Sequence, residues 1–510
     1  MEKAPLDLQA RPPARSRRSI ILSFLLTVLV VSSIFIQLST FSLFNRLRLA
    51  DLHPSIHSID RGIDFSWLAH EKQCPGLKMI GVEEFTARRD RLARLLKGED
   101  EKGWGAYVTE PSANTLYYLN LTQSNWYLSE RPWLAVVTPS SSSSASSTAH
   151  HLSILTPSFE KSRSQRLPFA VDSAQLENIW WITWEEAENP YEVLVEHLEG
   201  LREAQNKTGA WSIEIEENVR QFLAAGIEEV AKKRKEAAPE VGLAKMVIRE
   251  LRMRKTKAEL DIQRCVGKIT LEALRAVRKH LRIGMTEKQG EALIVNALKA
   301  GGLTDIGAIV LFGENAALPH ASASSTTTLH EGEYALFDVD GSLFGYMSDF
   351  TRTMLPDRWI KGRKEAVCEW PKNERAKKIF ETVQKAQRAA LAQLVTSSNS
   401  SEDVVYASQV DKAARDVISA EGWGEFFTHR LGHGIGLEVH EHPYLKSGNR
   451  NQVLQPGETF SNEPGIYIER SKDVEQGVGI GVRLEDMVLK TVEGWELVSG
   501  EGLAVSPCSP

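Results

Sequence analysis

Residues 336–353 read LFDVDGSLFGYMSDFTRT, and no other stretch confines the chain as tightly. The runs Tyr334–Val339 and Tyr346–Met354 favour strands, and Gly341, Ser342 and Gly345 are turn residues. A hairpin follows. With its tip between Leu343 and Phe344, Asp338 falls directly opposite Asp349. Direct cross-strand partners have Cβ atoms about 4.5–5.5 Å apart, and like charges there destabilise a sheet. The pair makes sense if a cation sits between the carboxylates or if they share a proton. A different register would leave both in solvent.

Further ligand-type residues follow downstream. Residues 428–442 read THRLGHGIGLEVHEH and hold His429, His433, His440 and His442, four of the chain's 13 histidines. The interleaved glycines allow backbone to approach a ligand closely. NEPGIY (462–467) carries Glu463, and GVRLEDMVL (481–489) carries Glu485. In the latter, Val482, Leu484 and Val488 are core candidates, while Arg483 and Glu485 share the other face at strand periodicity. Taken alone, Glu485 would be an arginine-paired surface carboxylate. Four carboxylates and a histidine make a hard, oxygen-rich set with excess negative charge. Such a set suits two divalent ions: manganese or cobalt first, zinc or iron next. Two ions roughly 3.5–4 Å apart bridge a water, lower its pKa and polarise a carbonyl. That chemistry hydrolyses an amide-like bond without a covalent intermediate.

Composition excludes other classes. The net charge is −6 and the body shows no basic stripe, which argues against a nucleic-acid binder. There is no Gly-x-Gly-x-x-Gly after a strand and no phosphate-loop Gly-Lys-Ser/Thr. From Ser19 to Asn45 there is no charged residue, a run longer than the roughly 20 residues that cross a bilayer. Arg11, Arg15, Arg17 and Arg18 precede it and outnumber Arg46 and Arg48, so the expectation is a signal anchor with a cytosolic tail. The body of this single-pass type II protein would be lumenal, vacuolar or extracellular. A cleaved signal or a buried helix is the alternative. Sequons at Asn120, Asn206 and Asn399 agree with a lumenal glycoprotein. Four cysteines (Cys74, Cys265, Cys368, Cys508) allow one or two bridges, and the sequence does not pair them.

With 510 residues, two or more domains are expected. The boundaries read as a tail (1–18), an anchor (19–45), a stem (46–75), an α/β domain (76–240) and a second domain (245–502). Residues 79–97 form an amphipathic helix. Strands follow at Trp104–Val108, Trp133–Val137 and Leu152–Leu155, with SSSSSASS (140–147) as a hairpin tip. Capping-box spacings at Thr256/Glu259 and Thr286/Gln289 open two helices, the first reaching to about Leu281 and the second through Lys299. From about Asp305, strands and turns dominate, interrupted by a helix over Glu374–Val395. Helices first and an antiparallel sheet later make the class α+β.

The pattern D-x-x-G…D-x-T-R-T, H-x-x-G-H-x-x-G-x-x-x-H-E, E-P-G and R-x-E-D resembles the pita-bread metallopeptidases, over about Lys245 to Ser499. That family includes aminopeptidase P, prolidase, methionine aminopeptidase and creatinase. The resemblance implies a curved antiparallel sheet covered by helices. It implies that Asp338, Asp349, His433, Glu463 and Glu485 ligate two divalent ions, with Glu463 also managing the proton of the bridging water. His320 matches a substrate-side histidine. His429 and His440 match the histidines flanking the metal ligand, and Arg483 matches an arginine that orients carboxylates. The first half resembles the creatinase-like domain of the longer members. The run THRLGHGIGLEVHE is most similar to the Xaa-Pro dipeptidase and aminopeptidase branch. The implied activity is removal of an N-terminal residue that precedes proline, with metal-bridged hydroxide attacking the scissile carbonyl. The implied partners are a peptide with penultimate proline, a membrane and, as is common in the family, a second copy of the chain. Two departures stand out. Asp340 occupies the position where the family has the glycine of Asp-x-Gly, and residues 355–373 form a longer connection than usual. Other hydrolase or lyase chemistry on the same scaffold, and a non-catalytic membrane-tethered peptide-binding module, are the competing readings.

Overall fold

Six strands with mostly buried side chains build a mixed sheet in the first half. The computed structural model describes residues 62–97, 103–140, 148–234, 238–357, 367–395, 404–470, 478–500 and 503–509. Helix α1 (Val82–Leu96) lays Phe85, Leu92 and Leu96 inward. It is followed by β1 (Trp104–Thr109), α2 (Ala113–Leu119), β2 (Leu134–Pro139), β3 (His150–Pro157), β4 (Trp180–Trp184), α3 (Pro190–Ala204), β5 (Trp211–Ile215), α4 (Gln221–Lys232) and β6 (Glu240–Leu243). The sheet order is β4-β3-β2-β1-β5-β6. The β2–β3 hairpin pairs Pro139 with His150, so the serine-rich run bridges a hairpin, although residues 141–147 lie outside the described residues. Apolar residues of β1 to β5, α3 and α4 form one core.

Helix α5 (Met246–Met253) leads into α6 (Lys257–Arg278) and α7 (Glu287–Ala300). Both of the latter begin with the capping boxes read from sequence. Then come β7 (Thr304–Phe312), β8 (Ala335–Leu343), β9 (Tyr346–Met354), α8 (Glu374–Ala392) and α9 (Ala407–Ala420). The last strands are β10 (Gly432–Gly434), β11 (Glu441–Leu445), β12 (Thr459–Asn462), β13 (Gly465–Ile468), β14 (Ile480–Arg483), β15 (Asp486–Lys490) and β16 (Trp495–Leu497). Their sheets, β7-β8-β9, β11-β10-β12-β15-β16 and β13-β14, are antiparallel throughout. A second core joins α8 and α9 to these strands.

The hairpin register differs from the expectation. Leu343 pairs with Tyr346, so the tip is Phe344–Gly345, and both residues have positive φ (52° and 84°). That is a two-residue type I′ turn, which favours glycine at its second position. A tip on Leu343–Phe344 would lack that glycine. Asp349 therefore faces Asp340, and Asp338 faces Thr351. The reading of Arg483 and Glu485 on one strand is also corrected: β14 ends at Arg483, β15 begins at Asp486, and Glu485 sits in the joint between two different sheets.

The back of the hairpin is fixed by a buried polar knot. Glu259, already used in the α6 cap, lies 3.3 Å from Arg88 of α1 and accepts a 2.9 Å hydrogen bond from Tyr346 of β9. Arg88 also donates to the Tyr117 carbonyl. The first-half layer thus grips the strand that carries Asp349.

Both disulfides form, pairing Cys74 with Cys265 and Cys368 with Cys508. Residues 66–73, inside the segment read as a stem, fold into two short helices against α6 and α7. His70 N–H donates to Gly301, and Lys268 donates to the Gln73 carbonyl. The chain divides into residues 1–64 and a unit from Phe65 to Pro510. The expected anchor, the tail and the sequon at Asn399 lie outside the described residues, whereas Asn120 and Asn206 are exposed. Among the described residues no helix is long and apolar enough to cross a membrane.

Candidate metal centre

Three antiparallel layers deliver the donors to one place. Asp338 and Asp349 come from β8 and β9, on one face of the hairpin. His433 comes from β10, Glu463 from the β12–β13 joint and Glu485 from the β14–β15 joint. Their ligand atoms fall into overlapping groups, each within 4.8 Å: Asp338 with Asp349 and Glu485; His433 with Glu463 and Glu485; Asp349 with His433 and His440. His433 Nε2 lies 3.2 Å from Glu463 Oε1 and 3.6 Å from Asp349 Oδ2.

The TRT motif explains why the late segment docks here. Thr351 O accepts from Glu485 N–H, and the Thr351 hydroxyl donates to Glu485 Oε2 at 2.7 Å. Arg352, fully buried, donates to the Glu485 carbonyl and to Asp486 Oδ1, both at 2.6 Å. Thr353 exchanges two bonds with the Arg483 backbone. Arg483 then spreads its guanidinium over Asp338 (2.5 Å), Thr351 (2.9 Å) and the Tyr467 hydroxyl (2.7 Å).

The electrostatics follow from burial. With protein groups alone around them, Asp349 and Glu485 are pushed well above the ordinary carboxylate range. For Asp349 the cause is burial, then the charges of Glu485 and Asp338; for Glu485 it is burial, then those of Glu463 and Asp338. Glu463 goes the other way. Burial would raise it, but the hydrogen bond and charge of His433, with His429 and Arg483, hold it at about 2. Burial lowers His440 to about 4, helped by the charges of His433 and Arg430. Burial raises Asp340 to about 6, with the Asp338 charge acting the same way and the Gly307 N–H opposing. Glu485 Oε1 is buried without a hydrogen-bond partner among the described residues. An orphaned carboxylate oxygen inside a ring of oxygen donors and one imidazole is what a divalent cation would satisfy, so the residues fit a metal.

The remaining predicted residues lie around this centre. His440 is exposed, its ring 4.2 Å from that of His433. His429 donates or accepts at the Tyr467 hydroxyl, 2.9 Å away, and its Nδ1 lies 4.0 Å from Glu463. His320 is exposed in the turn after Gly313–Ala317, close enough for its charge to act on His429. Sequence reading missed Tyr467 and Thr351. Both stand two residues from positions already singled out or in phase with them, so strand alternation could have found them.

A model of metallopeptidase family M24 matches residues 261–491. An uncharacterized peptidase of Schizosaccharomyces pombe is 37% identical over 411 residues, 80% of each chain. The chain belongs to metallopeptidase family M24. It is therefore a metallo-exopeptidase with a peptide as substrate. The crystal structure of dipeptidase PepE from Mycobacterium ulcerans superposes with a TM-score of 0.63 at 26% identity, covering 84% of this chain and 98% of that one. An Xaa-Pro dipeptidase from Bacillus anthracis gives 0.58 at 23% identity over 82% and 98%, a likeness of fold alone. Several bacterial relatives match over 253–254 residues, about half of this chain and 60–64% of their own length. The α/β architecture is the pita-bread fold of this family.

Proposed function

We propose that this M24 member removes the N-terminal residue from peptides whose second residue is proline, using two divalent ions held by Asp338, Asp349, His433, Glu463 and Glu485. The observation that carries the reading is the overlap of the donor groups: Asp349, His433 and Glu485 each belong to two of them, as a shared pair of cation positions would require. Manganese is the metal we assign, with cobalt, zinc or iron as alternatives. When bound, the ions would supply an acidified water and a polarised carbonyl. The chain's own residues do the rest. Glu463, kept ionised, takes a proton at its carboxylate. Neutral His440 offers an N–H to the oxygen of the scissile carbonyl. The Tyr467–Arg483 pair fixes His429 and Asp338. A proline imide lacks an N–H and has fixed φ, so a site that grips the amine and the carbonyl suits it better than one that reads extended backbone.

We also assign the body to an oxidising compartment behind an N-terminal anchor, with the domain limits read from sequence. All four cysteines are paired, a state that persists outside the cytosol. Glycosidase-sensitive mobility and protease protection of the full chain in membranes test that placement.

The activity test uses the full-length protein stripped of metal. Release of the first residue from Xaa-Pro and Xaa-Pro-Xaa peptides is followed with and without manganese, alongside Asp349→Asn. Metal-restored cleavage that the variant lacks is the expected result. Two bound ions without cleavage of any Xaa-Pro bond would remove the substrate reading and keep the family.

A further inference from the structure

We propose that Arg252, on the segment linking the two halves, is a positioning residue that clamps the loop carrying His440. The inference rests on the catalytic reading of His440.

The loop runs from Gly436 to Glu441, and two acids bracket its tip, Glu438 and Glu441. One guanidinium serves both. Arg252 Nη2 donates to Glu438 Oε2, and its Nε lies 3.4 Å from Glu441 Oε2. Arg252 comes from the last turn of α5, so the clamp belongs to neither the hairpin nor the strands that carry the donors. Lys255, two residues beyond α5, completes it with a 2.8 Å contact to Glu441 Oε1. Arg252, Lys255 and Glu441 are all buried, and an ion pair at such a site is held without much screening.

The rest of the loop is fixed closely enough for the clamp to matter. Met347 N–H donates to Gly436 O at 2.7 Å, tying the loop to the hairpin strand two residues from Asp349. A Cβ on Gly436 would lie 2.4 Å from the Glu441 carboxylate, so the acid folds back onto bare backbone. Between these fixed points only Leu437 to His440 span the gap, and His440 itself is exposed, so packing alone does not hold its ring. A cavity of about 30 Å³ adjoins the clamp, lined by Glu216, Arg252 and Glu441 among others. Each of these three presents a buried polar atom without a hydrogen-bond partner among the described residues: Glu216 Oε2, Arg252 Nη1 and Glu441 Oε2. The space suits a bridging water. A water there would join the clamp to Glu216, just past the end of β5 in the first-half sheet.

A misplaced catalytic group costs rate rather than binding. The test compares Arg252→Lys and Glu438→Gln in the full-length, metal-loaded protein, each also in a His440→Gln background. Glu438 is partly exposed, so its variant keeps the proposal testable if Arg252→Lys fails to fold. The expected result is a kcat lower by about tenfold with KM and metal content retained, and little further loss in the His440→Gln background. Histidine-selective ¹⁵N spectra of the zinc-loaded protein, free of a paramagnetic ion, supply the second readout: the His440 signals should broaden or split in both single variants. Full additivity with His440→Gln, or sharp unchanged His440 signals, would overturn the clamp. If His440→Gln itself leaves kcat intact while the signals broaden in the single variants, the clamp stands and the role of His440 falls.

Discussion

Asp340 lies directly across the hairpin from Asp349, while Asp338 faces Thr351 two pairs closer to the hairpin's root. Three carboxylates therefore share one face where a family member with glycine at 340 has two. Gly307 on the neighbouring strand makes room: a Cβ there would lie 2.1 Å from Asp340 Oδ2. The third charge repels its neighbours when no cation is near and attracts a cation when one is. Asp340→Asn should raise the melting temperature of the chelated protein and weaken divalent-metal affinity by about tenfold. Calorimetric titration with manganese and paired thermal melts check both signs. Unchanged affinity would mean that solvent screens Asp340 from the centre.

Metal should stabilise the protein more at high pH than at low pH. Asp349 and Glu485 are raised in the folded chain, so without metal the folded state holds protons that the unfolded state has released. Their contribution to stability is complete below their ordinary values of 3.8 and 4.5 and is lost as pH rises through the folded values. Glu463 acts in the opposite sense: its contribution is present above 4.5 and fades only as pH falls toward about 2. As pH rises above about 4.5 the chelated protein should therefore lose stability, and manganese should restore it. Calorimetric scans with and without metal read the difference. A metal-induced shift of equal size at both ends would sink the assignment of buried ligands.

Tyr467→Phe should lower kcat by about tenfold and leave metal content intact. The hydroxyl joins His429 Nε2 to Arg483 Nη1, and no other group in the site bridges those two among the described residues. The ring stays packed, since only the hydroxyl is removed. Steady-state kinetics with metal analysis decide it. An unaffected kcat would assign Tyr467 to packing alone.

The candidate donor set was legible because its carboxylates and one histidine fall in short motifs of glycine and strand formers rather than in charged surface runs. Asp338, Asp349, His433, Glu463 and Glu485 were readable from carboxylates and a histidine set among glycines and strand formers. The register was not, because it depended on which two residues made the turn, and Phe344 is an unusual residue at positive φ. Glu485 misled for a related reason. Alternation through VRLED suggests one strand, yet Arg352 and the two threonines beside it pull the backbone into a joint between sheets. Arg252 carried no local signal, and Glu259 only that of its helix cap, since their partners in the clamp and the knot lie 186 and 171 or 87 residues away. Disulfide pairing was hidden by the same distance, 191 residues for Cys74 and Cys265.

That long bridge supports a last prediction. Cys74–Cys265 closes a loop of 191 residues in the unfolded chain and fastens residues 66–73 to α6. Cross-links of this kind stabilise by about 2–5 kcal/mol, chiefly by restricting the unfolded chain. Cys74→Ser with Cys265→Ser should lower stability by that order and expose amides of residues 66–73 to exchange. The strap also touches the hairpin, since His70 stacks edge-on against Phe344 with ring centroids 5.5 Å apart. Yet the β7-β8-β9 ladder and the Arg88–Glu259–Tyr346 knot hold the hairpin independently of that contact. Activity at low temperature should therefore survive within about twofold while the melting temperature falls. Hydrogen exchange, thermal melts and a peptidase assay on the same double variant separate the two effects. If activity vanishes while the fold and the bound metal persist, the strap positions the aspartates, and the hairpin is less self-sufficient than its hydrogen bonds imply.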